Sequence, residues 1–171
     1  MEFEHDEQQR LFRAAVREFV DSEVAPHAAR WEDEERFPME TWLQMAEMGL
    51  CGVALPEAYG GGGGGKTLLC IAAEELGRGS GGLSVAYLVS CGIAMDGLCL
   101  HGNENQKREY LPRCAKGEVA FFALTEPGGG LIRLALRPKR APQCALTLCV
   151  SRVLADQLCK DRRRLRAVAA V

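Results

Sequence analysis

The sequence predicts a mainly α protein: an orthogonal or antiparallel helical bundle with one short β-strand and an irregular or helical C-terminal tail. Three observations predict it. Apolar residues recur every three or four positions as far as Leu111, the periodicity of helices that bury one face. The breaks between these runs are short and marked by Pro or Gly. Only at Val119-Ala120-Phe121-Phe122-Ala123-Leu124-Thr125 does the pattern become a continuous apolar run, stopped by Glu126-Pro127-Gly128 as a buried strand is stopped by a turn.

Phe12, Val16, Phe19, Val20 and Val24 share one face of a first helix, which Pro26 ends or restarts because the residue before a proline avoids helical angles. Phe37-Pro38 opens a further helix through Trp42, Met45 and Ala46, with proline in its first turn and Gly49 as a left-handed cap. Leu50 to Leu55 is expected to be extended and to close at Pro56-Glu57-Ala58-Tyr59. Thr67 to Leu76 and Leu83 to Leu100 repeat the helical pattern and end near Gly77 and Gly102. Asn103-Glu104-Asn105-Gln106 is a capping box, in which Asn103 accepts from the third helical amide while Gln106 reaches back to the cap amide. That helix is expected to reach Leu111 and halt at Pro112.

A chain of 171 residues suffices for one ordinary domain with a real core. Its charge is uneven: residues 1–130 hold 11 basic and 21 acidic side chains, net −10, whereas residues 131–171 hold 10 and 2, net +8. The expected organisation is therefore a helical domain over 1–118, a strand segment over 119–130, and a tail of different character over 131–171. The eight cysteines include no C-x-x-C pair, and His5, His27 and His101 lie in no ligand spacing, so no metal site is expected and these histidines read as surface or capping residues. The amino terminus is acidic with no apolar run behind it, and no run of 18 apolar residues occurs. A reducing cytoplasm, free and mostly buried thiols, and no membrane partner are the expectation.

Gly60 to Thr67 formally satisfies G-x-x-x-x-G-K-S/T, the phosphate-cradling loop of nucleotide hydrolases. In that alternative, Lys66 would meet the terminal phosphates while Thr67 and Asp96 held magnesium. Six consecutive glycines satisfy almost any glycine spacing, however, and Pro56 to Tyr59 separates the nearest candidate strand from the loop. The preferred reading of the glycines is a flexible loop. Glu74-Glu75 likewise reads as a solvated helix face rather than a catalytic carboxylate pair, and Glu126 as structural.

Five blocks occur in a telling order: Pro56-Glu57-Ala58-Tyr59-Gly60-Gly61, Glu74-Glu75-Leu76, Gly102-Asn103-Glu104-Asn105-Gln106 through Leu111-Pro112, Gly117-Glu118, and Leu124-Thr125-Glu126-Pro127-Gly128. In order and spacing they resemble the acyl-CoA dehydrogenase family over about residues 3 to 130. The resemblance implies an amino-terminal helical domain leading into the first strand of a middle β-domain. It also implies an FAD-dependent oxidoreductase of fatty or branched acyl-CoA thioesters, in which a glutamate base takes the α proton, the β hydride goes to the flavin, and electrons leave to an electron-transferring flavoprotein. The implied flavin-binding residues are Phe122, Ala123, Leu124, Thr125 and Gly130, with the main-chain amides of Phe122 and Leu124 and the Thr125 hydroxyl facing the ring. Amides so placed would stabilise the negative charge that builds on a reduced flavin. The resemblance places no catalytic residue on this chain: the glutamate base and most of the flavin surface belong to the middle and carboxy-terminal domains, often of a neighbouring subunit in a homo-oligomer. The chain alone is expected to be inactive.

After Gly130 the family pattern continues Ser-Asp, whereas this chain reads Leu131-Ile132-Arg133-Leu134-Ala135-Leu136-Arg137-Pro138-Lys139-Arg140. Codons chosen for Gly130 to Arg140, read one base out of phase, spell Ser-Asp-Ser-Ala-Gly-Leu-Ala-Thr-Lys-Ala, a fitting family continuation. A single-base slip within the glycine codons, leaving 131–171 as an out-of-frame tail, is the expectation, which sequencing of the coding DNA tests. A third reading is a non-enzymatic helical module with a basic tail, in which Leu146, Val150, Val153, Leu154 and Leu158 line a helix before Lys160-Asp161-Arg162-Arg163-Arg164. The tail has no aromatic residue to anchor an interface or stack a base, so neither nucleic acid nor membrane is the expected partner.

Overall fold

The computed structural model describes residues 4–121. Asp6 starts the first helix: its carboxylate accepts from the Gln9 amide at 2.7 Å, and Gln9 reaches back to the Asp6 amide, a capping box ahead of α1 (Glu7–Phe19). The helix continues through a π-helical turn, Val20–Val24, in which the Ala25 N–H donates to the Val20 carbonyl five residues back. This carries Val16, Phe19, Val20 and Val24 along one buried face, as the periodicity predicts. Pro26 then restarts the chain as the short α2 (Ala28–Asp33), which buries Trp31.

Pro38 occupies the N-cap of α3 (Met39–Glu47) rather than its first turn, and Gly49 caps the far end at φ 78°. The expected extended stretch over Leu50 to Leu55 is instead a 3-10 turn, Leu50–Gly52, followed by further turns closed by the bonds Val53 N–H to Leu50 O and Leu55 N–H to Gly52 O. No strand lies beside it among the described residues: the Val53 and Leu55 amides close on its own carbonyls, while the carbonyls of Gly52, Val53 and Leu55 accept from Gly62, Gly64 and Gly63. A second 3-10 turn, Glu57–Tyr59, leads into the glycines.

Two long helices form the middle of the bundle. The first, α4 (Gly65–Gly79), runs past Gly77, where it was expected to end. Ser80 accepts from the Leu83 amide and starts α5 (Gly81–Tyr87), which passes through a π-helical segment, Leu88–Ala94, into α6 (Met95–His101). The capping box of Asn103 and Gln106 forms as predicted, at 3.0 and 2.9 Å, and starts α7 (Glu104–Ala115). Pro112 does not stop α7. It removes one helical N–H, but burial of Leu111, Cys114 and Ala115 around it holds the last turn.

The core is the seam between these helices. Trp42, Met45, Leu76, Tyr87, Met95 and Leu111 are fully buried there, with α4 packed against α1 and α5 and α7 against α6. Its polar atoms are satisfied: the Tyr87 hydroxyl, kept protonated by burial, donates to the Leu50 carbonyl at 3.0 Å, and Ser84 donates to the Ala73 carbonyl at 2.7 Å. Within the 21 residues Gly81–His101 an 18-residue stretch has a mean hydropathy of 1.7, long and apolar enough to cross a membrane, contrary to the expectation that no such run exists. Half of it is buried inside the bundle, which marks that half as core.

Candidate functional site

The sequence points to the end of the bundle where the chain passes from α7 toward the apolar segment. Gly117 makes that turn at φ 99°, a backbone conformation that side chains resist, and a Cβ there would lie 2.9 Å from that of Ala46. The carbonyl of Gly117 accepts a 2.8 Å bond from Trp42 Nε1 deep in the core. Glu118 accepts from Arg113 Nε at 2.8 Å, which raises the Arg113 pKa further, and Arg113 also lies over the Tyr110 ring. Two residues later the Ala120 N–H donates to the buried Ser90 Oγ at 2.9 Å. The segment Gly117 to Ala120 is thus held by bonds to α3, α7 and the π-helical segment before α6.

Val119 and Ala120 pack on the core and Phe121 is 45 % exposed, with no strand assigned to these three residues. The sequence-predicted flavin residues Phe122, Ala123, Leu124, Thr125 and Gly130 lie outside the described residues, as do the rest of the strand segment and the tail. What the structure adds is a set of exposed apolar side chains on the helical run that also carries Ser90. Along the outer face of the helical run from Gly81 to His101, Val85 (61 % exposed), Leu88, Ile93 (49 %) and Leu100 (75 %) recur at helical spacing. Periodicity in the sequence reports that a helix has an apolar face, not whether a second face is also apolar.

The glycine loop is not a flexible loop. Gly62, Gly63 and Gly64 donate to the carbonyls of Gly52, Leu55 and Val53 at 3.0, 2.9 and 2.8 Å, and a Cβ on Gly61 would lie 2.2 Å from the Leu55 carbonyl oxygen. Amides that must converge on a phosphate in the nucleotide-binding alternative are therefore spent on backbone carbonyls. Lys66 pairs with Asp96, the residue which that alternative would assign to magnesium, and no strand feeds the loop. Titration with magnesium and ATP is expected to give no saturable heat, and Lys66→Ala to change stability by less than about 0.5 kcal/mol, as an exposed ion pair does.

The carboxylate pair also differs from expectation. Glu74 is exposed, but Glu75 is 1 % exposed and accepts from Arg17 at 2.8 and 2.9 Å, from Arg13 at 3.0 Å and from Arg78 at 3.3 Å. The Arg17 guanidinium, then Arg78 and Arg13, hold its carboxyl down to about 2 against the opposing effect of burial. It joins α1 to α4 and has no reacting group to serve. A single residue spacing could not show this, because the three arginines converge only when the two helices pack. A shallow depression beside it on α1, lined by Ala14, Arg17, Glu18, Asp21 and Ser22, offers little to a ligand, since Arg17 is committed to Glu75 and Asp21 to Arg78.

His5 accepts from Arg13 and donates to Gln9, His27 leans on Trp31 at 6.0 Å, and no group of three His, Cys, Asp or Glu could hold a metal among the described residues. Cys51 and Cys91 are buried free thiols, with that of Cys91 pushed up by its hydrogen bond with Cys51 and by burial, and Cys114 is buried as well.

Comparison with known proteins decides between the readings. The sequence profile of the acyl-CoA dehydrogenase N-terminal domain matches residues 6–118. The chain belongs to the acyl-CoA dehydrogenase family. It is 39 % identical over 131 residues to the short-chain-specific acyl-CoA dehydrogenase of Clostridium acetobutylicum, a match covering 76 % of this chain and 35 % of that protein. The crystal structure of acyl-CoA dehydrogenase from Geobacillus kaustophilus superposes with a TM-score of 0.70 at 32 % identity, over 76 % of this chain and 34 % of that one. The acyl-CoA dehydrogenase of Bacillus anthracis, solved in complex with FAD, gives 0.66 at 33 % identity, over 74 % and 22 %. The chain spans about a third of the length of the curated relatives it matches. Its helical bundle is the domain those matches cover, and the clamp at Gly117 to Ala120 stands at the profile's carboxyl boundary.

Proposed function

We propose that this chain supplies the amino-terminal helical domain and the first flavin-contacting strand of an FAD-dependent acyl-CoA dehydrogenase that oxidises acyl-CoA thioesters. The observation that carries the reading is the clamp on residues 117–120, which holds the chain to the bundle at the carboxyl end of the matched domain. The residues on offer fit an isoalloxazine in donor chemistry: the N–H groups of Phe122 and Leu124 and the Thr125 hydroxyl are neutral donors, flanked by the apolar side chains of Phe121 and Ala123. FAD, when bound, supplies the hydride acceptor. This chain's part is to hold donors toward the ring and, with the apolar face of Val85, Leu88, Ile93 and Leu100, to offer further domains a surface to cover.

On this reading the base, the acyl-CoA thioester, the electron-transferring flavoprotein and a homo-oligomeric partner are met by parts of the enzyme beyond 1–118. The domain organisation follows: 1–118 helical, 119–130 the first strand of a middle domain, and 131–171 an out-of-frame tail. Free thiols at Cys51, Cys70, Cys91 and Cys99 support a reducing, cytoplasmic setting.

Titration of the purified chain with FAD tests the reading. Uptake is expected to be weak and to shift the visible flavin bands, with no reduction of bound flavin on adding butyryl-CoA or isovaleryl-CoA. A chain that leaves the flavin spectrum untouched at millimolar concentrations argues against a flavin-contacting role for residues 122–125, and flavin bleaching by the thioester argues against the placement of the base elsewhere.

A further inference from the structure

The helical run from Gly81 to His101 carries two apolar faces, one in the core and one open. On an α-helix successive residues stand about 100° apart, which would put Ile93 and Leu100 about 80° and 60° to one side of Val85 and Leu88 about 60° to the other. The π-helical segment Leu88–Ala94 holds an extra residue, which turns the residues that follow back by up to about 100°. Val85, Leu88, Ile93 and Leu100 thus fall into one narrow stripe, while Leu83, Tyr87, Met95 and Leu98 stay together in the core.

Two glycines lie on the open stripe. Gly81 begins α5 and Gly97 lies inside α6, and at both a Cβ would meet nothing within 4 Å. Glycine is disfavoured inside a helix, and no described neighbour crowds either position, so each leaves a hollow on the surface. Large and small residues are placed symmetrically: Gly81 and Leu100, Val85 and Gly97, and Leu88 and Ile93 are each centred on Ser90 and Cys91. An antiparallel copy about a two-fold axis at that point sets Leu100 over the Gly81 hollow, Val85 into the Gly97 hollow and Leu88 beside Ile93.

Charge agrees with this pairing. None of the six residues is charged, and Asp96 at the margin is already answered by Lys66. At the ends, the exposed His101 of the second copy is carried toward Glu32, whose carboxylate stands beside Gly82. The four large side chains leave roughly 400 Å² open, so two copies remove about 800 Å² from water before the flanks are counted, the size of a weak complex. We propose that a second copy of this chain docks antiparallel on this face, forming a weak two-fold dimer in which the glycine hollows receive Leu100 and Val85. The surface offered to further domains is thus self-complementary, and the dimer does not depend on the flavin role of residues 122–125.

Sedimentation equilibrium of the full, reduced chain, with helical circular dichroism alongside, tests the dimer. Wild type is expected to pass from monomer to dimer with a midpoint of roughly 100 micromolar. Leu100→Lys, at an exposed position, and Gly97→Leu, which fills an open hollow, are each expected to weaken association by about tenfold or more with helical signal unchanged. Adding Gly81→Glu to Leu100→Lys sets opposite charges across the interface and is expected to recover most of that loss. A chain that stays monomeric to about 1 mM, well past the range of a weak complex, overturns the proposal. So does a dimer indifferent to both Leu100→Lys and Gly97→Leu, since it associates elsewhere. A double variant no tighter than Leu100→Lys alone overturns the antiparallel register. Loss of helical signal in Gly97→Leu shows that no hollow exists there and overturns the proposal as well.

Discussion

Glu75→Ala is expected to cost about 3 kcal/mol of stability at neutral pH, the low end for breaking a buried ion pair because the arginines left behind keep access to water. Glu75 is the acceptor on which Arg13, Arg17 and Arg78 converge, and Arg13 Nε is already buried without a partner, so deletion leaves the first helix and α4 joined by apolar contacts and the exposed pairs Arg13–Glu74 and Arg78–Asp21. The pH dependence follows from the depressed carboxyl. Folded, it titrates at about 2, against an ordinary value of 4.5. Above 4.5 both folded and unfolded chains carry the charge and the contribution is complete. Between 4.5 and 2 the unfolded chain takes up a proton that the folded chain refuses, so stability falls as pH drops, by at most about 1.4 kcal/mol per pH unit from this group. Urea unfolding of wild type and Glu75→Gln at pH 7 and pH 3 measures it. The variant should lose less on acidification, and parallel losses would show that other carboxylates set the acid sensitivity.

Trp42→Ala should be at least as damaging, about 3 to 5 kcal/mol for an emptied aromatic site. Trp42 is fully buried, lies tilted at 53° against Phe37 with ring centroids 5.7 Å apart, and donates to the Gly117 carbonyl. Trp42→Phe separates the two contributions: most of the ring volume stays and the carbonyl of Gly117 loses its donor, costing about 1 to 3 kcal/mol. Because that carbonyl sits three residues before Ala120, Trp42→Phe should also speed hydrogen exchange across 117–120 ahead of α4. Denaturant midpoints with the remaining Trp31 as fluorophore read the stability, and a midpoint unchanged in Trp42→Phe would mean that the indole bond contributes nothing to the clamp.

Local signals were legible wherever one short stretch of chain settles the outcome. The Asn103 and Gln106 capping box, the Gly49 cap and the buried face of Val16, Phe19, Val20 and Val24 each depend on residues within two turns, and each forms. The misreadings share another cause. Leu50 to Leu55 meets no strand among the described residues, so an apolar run with strand composition folds into turns. Pro112 stays helical because α7 is fastened by burial on both sides of it. The oligoglycine loop looks free in one dimension, yet it lies against Gly52, Val53 and Leu55 and is fixed by three backbone bonds.

The sequence by itself determined the family, the helical class and the point at which the apolar segment departs, because motif order, period and breakers are written along the chain. Tertiary structure alone decided that Glu75 is a buried hub, that Lys66 answers Asp96 rather than a phosphate, and that Ser90 and Trp42 grip the backbone at Ala120 and Gly117. These partners stand 30 to 75 residues apart. Which side chain meets which carbonyl at that separation depends on how helices cross and rotate against one another, and periodicity fixes only which face turns inward.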